Sequence, residues 1–493
     1  LGLIVCIGAG PAGLTAAYEL SKQKRQVLVL EADTRYVGGI ARTIRENDRY
    51  GEFCFDIGGH RFFSKSDEVV ALWKEIAGDA LMIRPRKSRI FYGGKFYPYP
   101  LDLVRTLRNL GFVQSGLCGL SYVKARLFPQ PNPQNFEQWV TNQFGARLFS
   151  IFFKTYTEKV WGMSCKDISA DWAAQRIKGL SLWEAVKNAA LRALGIQGKG
   201  GKIKTLIEEF LYPRQGPGMM WEMAAAKIAA AGSHIEMGKK VEGLSRNNAT
   251  GEWLVTYRDV SGTLSEVNAQ HVISTMPLRE LVQAVEGAPE AVRKAASSLR
   301  YRDFLIVALV MKDRKTFDDN WIYIHSPEVM VGRIQNFKAW SPEMVQNPEL
   351  ACYGMEYFCF EGDGLWTSAD GRLVAQATDE LVRIGLAARE DVLHGYVVRQ
   401  PKAYPVYDQE YERHVDVIRQ WLARDCPNLQ VVGRNGMHKY NNQDHSMMTA
   451  MLAVRNILSG NMHYDVWNVN QDAEYHEEHK SGASGERFVP TAA

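Results

Sequence analysis

Residues Leu3 to Leu20 read LIVCIGAGPAGLTAAYEL. Leu3–Ile7 is an unbroken apolar run, the pattern of a central parallel strand buried on both faces. A glycine turn and a helical stretch follow. Gly8, Gly10 and Gly13 are spaced G-x-G-x-x-G. In that pattern the first glycine permits a tight turn. The second lets the backbone approach a pyrophosphate, and the third lets helix and strand pack closely. Pro11 and Ala12 then open a helix whose free N–H groups would face the phosphates.

The next strand is QVLVLEAD, Gln26 to Asp33. Glu31, followed by Ala32, closes it about 20 residues beyond the glycines, where a ribose-binding carboxylate belongs. Strand, turn, helix, strand and acid occur in order, which predicts a βαβ dinucleotide-binding unit. The chain continues ADTRYVGGIARTI, Ala32 to Ile44. The glycine pair Gly38–Gly39, with Ile40 and Arg42 after it, adds backbone and a cation near the phosphates. This resembles the second fingerprint of the large FAD-containing family that includes amine oxidases, protoporphyrinogen oxidase and phytoene desaturase. The resemblance implies FAD, bound non-covalently.

The chain has 493 residues, 46% hydrophobic and 23% charged, which is globular composition for two or three domains. A net charge of +4 and a pI near 8.5 are too mild to argue for nucleic acid and suit a local basic pocket for an anionic ligand. Seven scattered cysteines without a C-x-x-C pair read as reduced thiols of a cytoplasmic protein, with no metal site. The first residues lack a basic n-region and are needed for the fold, so no signal peptide is expected. No apolar run reaches the roughly 18–20 residues of a membrane span.

The expected class is α/β: a discontinuous Rossmann-type FAD-binding domain with a helical insertion and a mixed-sheet substrate domain. The FAD-binding domain would comprise residues 1–66, 206–278 and 423–470. Residues 67–205 would form the mostly helical insertion, 279–422 the mixed-sheet domain, and 471–493 a polar tail. Within these, 66–78 reads as a helix, and SRIFYGGKFYPYPL as a hairpin turning at Gly93–Gly94. The aromatic run FSIFFKTYTEKVW predicts buried helices. Gly195–Lys204 reads as a basic linker or a loop beside the site. The run RPRKSR, Arg84 to Arg89, reads as a solvated face, with an acidic partner or lipid headgroups as the alternative.

Four later stretches narrow the resemblance: FDIGGHRFFS, FFKTYTEKVWG, DWAAQRI and GRNGMHKYNNQDHSMM. They resemble UDP-galactopyranose mutase, the eukaryotic type more than the bacterial, along nearly the whole chain. In that family the N5 of the reduced flavin attacks the anomeric carbon, the diphosphate departs, and the sugar opens and recloses as a furanose. The resemblance implies Arg176 and Arg333 on the substrate diphosphate, with Tyr404 and Tyr440 on phosphate or sugar. Each also has a plainer reading as a salt bridge or a packing residue. Gly58 and Gly59 would lie on the isoalloxazine. His60 would fix that loop or move a proton. Val241 would bring backbone to the adenine, and Gly433–Arg434 would reach the pyrophosphate. Asn442, Gln443 and Asp444 would open a helix toward the flavin, with Asp444 alternatively its N-cap. Trp161 is a substrate wall or core.

Lys65 stands where fungal members carry a second histidine, and Trp340 where the family has a tyrosine. Two activities therefore stay open on one flavin frame. One is pyranose–furanose mutation of a nucleotide-linked or similarly anionic sugar, with NAD(P)H a candidate reductant. The other is hydride transfer from substrate to flavin, as in amine oxidases and desaturases. A non-catalytic FAD-stabilised scaffold is the third class. The oligomeric state is left open.

Overall fold

The computed structural model describes residues 2–99, 101, 103–168, 170, 209–408 and 410–470. Five parallel strands form one sheet, in the spatial order Leu429–Val431, His271–Ser274, Ile4–Ile7, Val27–Leu30 and His234–Glu236. Every residue of Ile4–Ile7 is buried, as a strand covered on both faces requires. The helix Pro11–Lys22 begins just beyond it, with the proline pre-setting the first turn. It packs on helices Pro217–Ala230 and Gln443–Ser459. Stretches hundreds of residues apart thus share one core, which is the discontinuous Rossmann-type unit expected. An antiparallel sheet of Lys240–Arg246, Trp253–Arg258 and Leu264–Ala269 adjoins it.

The second large sheet is mixed and has seven strands: Val392–Pro405, Tyr301–Lys312, Leu350–Cys359, Arg333–Asn336, Trp321–Ile324, Ser88–Tyr92 and Lys95–Pro98. Neighbours are antiparallel except Trp321–Ile324 and Ser88–Tyr92, which run parallel. The hairpin from segment 67–205 therefore forms the edge of a sheet otherwise drawn from 279–422. Its turn places Gly93 and Gly94 at φ 55° and 72°, the conformation a two-residue hairpin favours. Conversely, helices Leu278–Ala284, Glu290–Ser298 and Tyr411–Asp425 bury Leu281, Val292 and Trp421 in the core of the parallel sheet.

The helix Asp67–Ala77 is capped by Ser66, whose Oγ accepts from Val69 N at 3.3 Å. A helical layer follows: Leu103–Leu110, Phe112–Leu127, Phe136–Phe144 and Ala146–Phe149. A π-helical turn, Ser150–Lys154, leads without a break into Thr155–Trp161. Phe149, Ile151, Phe152 and Trp161 share a core with Phe136 and Val140, which accounts for the aromatic density of this stretch. Trp161 is 6% exposed, so its core reading holds.

The basic run is bonded within the chain rather than simply solvated, with Lys87 left exposed. Arg89 makes a two-pronged pair with Asp319, Lys87 pairs with Asp318, Arg84 donates to Ala339 O, and Arg86 lies over Tyr99 and Trp321. The run fastens the hairpin edge to the 318–340 segment. Arg176, the stretch Gly195–Lys204 and the 471–493 tail lie outside the described residues. All seven cysteines are buried free thiols. Among the described residues, no helix is long and apolar enough to cross a membrane.

Candidate active site

The first wall of the site is main chain. Gly8 sits at φ 95°, and a Cβ there would stand 2.2 Å from Thr275 Oγ1. A Cβ on Gly13 would stand 1.9 Å from Gly8 O. One on Gly39 would meet Gly10 Cα at 3.2 Å, so the two glycine motifs face each other across a narrow gap. Gly38 N donates to Ala9 O at 2.7 Å and fixes that approach. Glu31 accepts from Ala9 N at 2.5 Å and Asp33 N at 2.8 Å. Burial pushes its carboxyl up, against those two donors. Lys239 N binds Glu31 O at 2.7 Å, which brings the strand bearing Val241 alongside.

Arg42 donates from Nη1 to Gly39 O at 2.9 Å and to Gln400 Oε1 at 2.7 Å. Its buried Nε makes no hydrogen bond, with Asp33 Oδ2 3.8 Å away. Gly433, at φ 84°, closes the loop from above: a Cβ there would lie 3.0 Å from Ala12 Cβ. The last helix starts at Gln443. Its cap is Asn442, not Asp444, because Asn442 and His445 bond reciprocally as a capping box. A glycine cradle that any Cβ would fill, an undercommitted guanidinium and two helix N-termini fit a dinucleotide diphosphate.

The second wall is side chain. Arg333 Nε donates to Glu356 Oε2, whose side chain is fully buried. Gln335 Nε2 donates to Glu356 Oε1 at 2.7 Å, and Trp340 Nε1 to Gln335 Oε1 at 2.8 Å. Burial opposes charge on Arg333, and the Glu356 carboxylate overrides it. The guanidinium is thus held charged and in place.

The Gly58–His60 loop lies directly on this wall. A Cβ on Gly59 would come within 3.1 Å of Gln335 Nε2, and one on Gly58, at φ 120°, within 3.9 Å of Arg333 Nη2. The His60 ring folds back over Gly58, with Nε2 3.2 Å from Ile57 O. Burial and the nearby charges of Arg434 and Arg333 push its pKa down to about 3, so the ring is neutral. Gln443 Nε2 holds His60 O at 3.2 Å, joining the loop to the last helix. Below the loop, the buried Asp56 accepts from Thr43 Oγ1 at 2.8 Å and from Tyr212. Burial raises this carboxyl from 3.8 to about 7.

Tyrosines complete the cleft. Tyr404 and Tyr440 stack at 5.6 Å, and the Arg434 guanidinium lies over both rings, at 5.4 and 4.9 Å. Arg434 also donates to Asn441 O and Ala403 O. Its side chain therefore faces the tyrosine pair and His60, while Gly433 faces the cofactor loop. The charge of Arg333 acts on Tyr404 and on Tyr156, and burial pushes both hydroxyls up. Tyr156 stacks on the buried His325 at 5.1 Å and meets Tyr323 edge-on at 5.3 Å. Lys159, one turn on, donates to the carbonyls of Ile324, Ser326 and Val331 at 2.8–3.2 Å. Its helix is thereby clamped to the mixed sheet.

The structure brings Arg333, His60, Tyr404, Tyr440 and Arg434 together. The sequence reading missed Tyr156, Tyr323, Glu356 and Asp56. Glu356 leaves a signal, a lone carboxylate in the apolar strand Leu350–Cys359. Tyr156 lies inside the quoted motif YTEKVW.

Known proteins share this fold. The family described as flavin containing amine oxidoreductase matches residues 11–344. A probable UDP-galactopyranose mutase of Klebsiella pneumoniae is 26% identical over 174 residues, 34% of this chain and 43% of its own length. A dTDP-fucopyranose mutase of Escherichia coli is 26% identical over 176 residues, 34% of this chain and 44% of its own. The match thus spans less than half the length of these curated relatives. An L-amino-acid oxidase of Crotalus adamanteus is 55% identical over only 47 residues, 10% of this chain and 9% of its own. The structure of a reduced UDP-galactopyranose mutase is similar with a TM-score of 0.77 at 22% identity, over 93% of this chain and 96% of that one. A putrescine oxidase reaches 0.61 at 15% identity, over 93% and 99%. At such identities these two are likenesses of fold. The chain belongs to the flavin-containing amine oxidoreductase family, whose members bind FAD, and it is similar to the sugar mutases among its relatives.

Proposed function

We propose that this chain is an FAD-dependent enzyme that interconverts the pyranose and furanose forms of a nucleotide-linked sugar, with non-covalent FAD in its reduced state. One observation carries the reading. Two guanidiniums, Arg333 and Arg434, stand beside the Gly58–His60 loop; Tyr156 and Tyr404 lie in the field of Arg333, and Tyr404 and Tyr440 stack under Arg434. Fixed cations beside hydroxyl donors suit an anionic diphosphate. An apolar amine or alkene would be served by an uncharged aromatic lining, whereas a second guanidinium, Arg434, beside the Arg333–Glu356 pair suits an anionic substrate.

The loop Gly8–Gly13, with Glu31, Gly38, Gly39 and Arg42, would hold the dinucleotide, and Gly58–His60 with Asn442–Asp444 its isoalloxazine end. Reduced FAD supplies an electron-rich nitrogen toward an anomeric carbon. Arg333 would neutralise charge growing on the departing diphosphate and keep it near for return. Arg176 would be its second cation. Tyr404 and Tyr440 would donate hydroxyl hydrogen bonds. His60, neutral and folded on its own loop, would hold Gly58 and Gly59 rather than act as a base.

The test is to reduce the purified protein with dithionite under anaerobic conditions and incubate it with UDP- and dTDP-linked hexoses. Furanose isomers formed with no change in the flavin spectrum are expected. Turnover only by oxidised protein, with bleaching of the flavin, would replace this reading by hydride transfer.

A further inference from the structure

The helix Phe112–Leu127 is amphipathic the wrong way round. Its inward face carries Ser115, Cys118, Ser121, Tyr122 and Ala125. Its outward face carries Phe112, Val113, Leu117, Leu120, Val123 and Leu127, which are 100%, 77%, 43%, 72%, 52% and 68% exposed. Phe128, just past its end, is 77% exposed. At 100° per residue the outward apolar side chains form one continuous stripe. Arg126 stands at one edge, and Lys124 near the other, between Val113 and Leu117; both are exposed. A surface helix normally turns such a stripe inward, and among the described residues no element covers it.

The charges around the stripe select its occupant. From Lys95 to Asn135 the sequence has Lys95, Arg105, Arg108, Lys124 and Arg126 against one acid, Asp102. A second copy docked through the same stripe about a two-fold axis would bring these cations face to face. An anionic lipid surface meets both features at once. Acyl chains accept the phenylalanines and leucines, and headgroup phosphates meet the lysine and arginines. We propose that Phe112–Leu127 lies in the headgroup–acyl boundary of an anionic membrane and holds the enzyme there. The stripe is sixteen residues long and one-sided, so the helix lies on the bilayer and does not span it. The proposal is independent of the reaction catalysed.

Flotation of the whole flavin-loaded protein with vesicles tests it. One set is phosphatidylcholine alone, and in the other about a third of the lipid is phosphatidylglycerol. The parent is expected to float with the anionic set, less with the neutral set, and less as salt is added. Leu117→Glu and Leu120→Glu should each lower the bound fraction about tenfold. Lys124→Glu with Arg126→Glu should remove the preference for anionic lipid. Unchanged flavin content in every variant keeps the fold out of the comparison. Failure of the parent to float, or flotation of the leucine variants like the parent, overturns the proposal. A parent dimer in sedimentation that Leu120→Glu splits, without flotation, assigns the stripe to a second copy and overturns it equally.

Discussion

The two walls of the cleft are made of different material. On the parallel-sheet side, Gly8, Gly10, Gly13 and Gly39 present backbone, and missing side chains define the space. On the mixed-sheet side, Arg333, Glu356, Gln335 and Trp340 hold one another through side-chain hydrogen bonds. A backbone wall binds whatever has a diphosphate of the right shape, and few substitutions can adjust it without closing it. A side-chain wall can be altered one residue at a time. Cofactor choice is thus conservative in this architecture, and substrate choice is not.

The glycine wall should break most completely. Gly13→Val puts its Cβ where Gly8 O stands, 1.9 Å away. The purified variant should retain no flavin and lose at least about 4 kcal/mol of stability, read by flavin absorbance and urea unfolding. Flavin-replete protein would show that the gap between the glycines is not the cofactor's. On the other wall, Glu356→Ala strands a buried guanidinium and should cost about 3–5 kcal/mol. Replacing both partners, Arg333→Met with Glu356→Leu, should recover most of that stability yet leave nucleotide-sugar turnover lost. Recovery of turnover would remove Arg333 from the mechanism.

Asp56 lies between the walls and gives a pH signature. Its folded pKa, near 7, stands above its ordinary 3.8, so the native state holds the proton more tightly. The stability it contributes is complete below pH 3.8 and is lost as pH rises through about 7. Against Asp56→Asn, the parent should lose a few kcal/mol across that window, measured as unfolding free energy at successive pH values. Parallel curves for the two proteins would mean that Asp56 is ionised in the fold. A smaller effect is expected from Arg333→Lys. Charge is kept but the planar guanidinium and its Nε bond to Glu356 are lost, so kcat should fall about a hundredfold with flavin content unchanged. Smallest is Tyr404→Phe, which keeps the stack on Tyr440 and should lower kcat/KM about fivefold for one lost hydroxyl.

Legibility in the sequence follows the same division. Gly8 to Gly13 and Glu31 could be read because their spacing is local and each position has one physical reason. The expected hairpin turn at Gly93–Gly94 was legible likewise, but the sheet it joins was not. Nothing local tells Ser88–Tyr92 to run parallel to Trp321–Ile324. Arg333 was marked by resemblance, yet its partner Glu356 depends on the register of Arg333–Asn336 against Leu350–Cys359. The basic run Arg84–Arg89 looked solvated because its acids, Asp318 and Asp319, lie over 200 residues away in the chain. The helix cap passed from Asp444 to Asn442 because His445 supplies the reciprocal bond, an unusual partner at that position.

The π-helical turn Ser150–Lys154 makes the frame of the cleft depend on one extra residue. A π-turn spends one more residue than an α-turn on the same advance, which rotates everything after it by roughly 100°. Tyr156 reaches its place against His325 and Tyr323 through that rotation. Removing the extra residue there would leave a regular helix with everything after it in the same phase, whereas regularising the turn with every residue kept would swing another side chain into the place of Tyr156. A one-residue gap in this turn therefore leaves Tyr156 in place, so relatives aligned through this helix should be matched by phase as well as by letter.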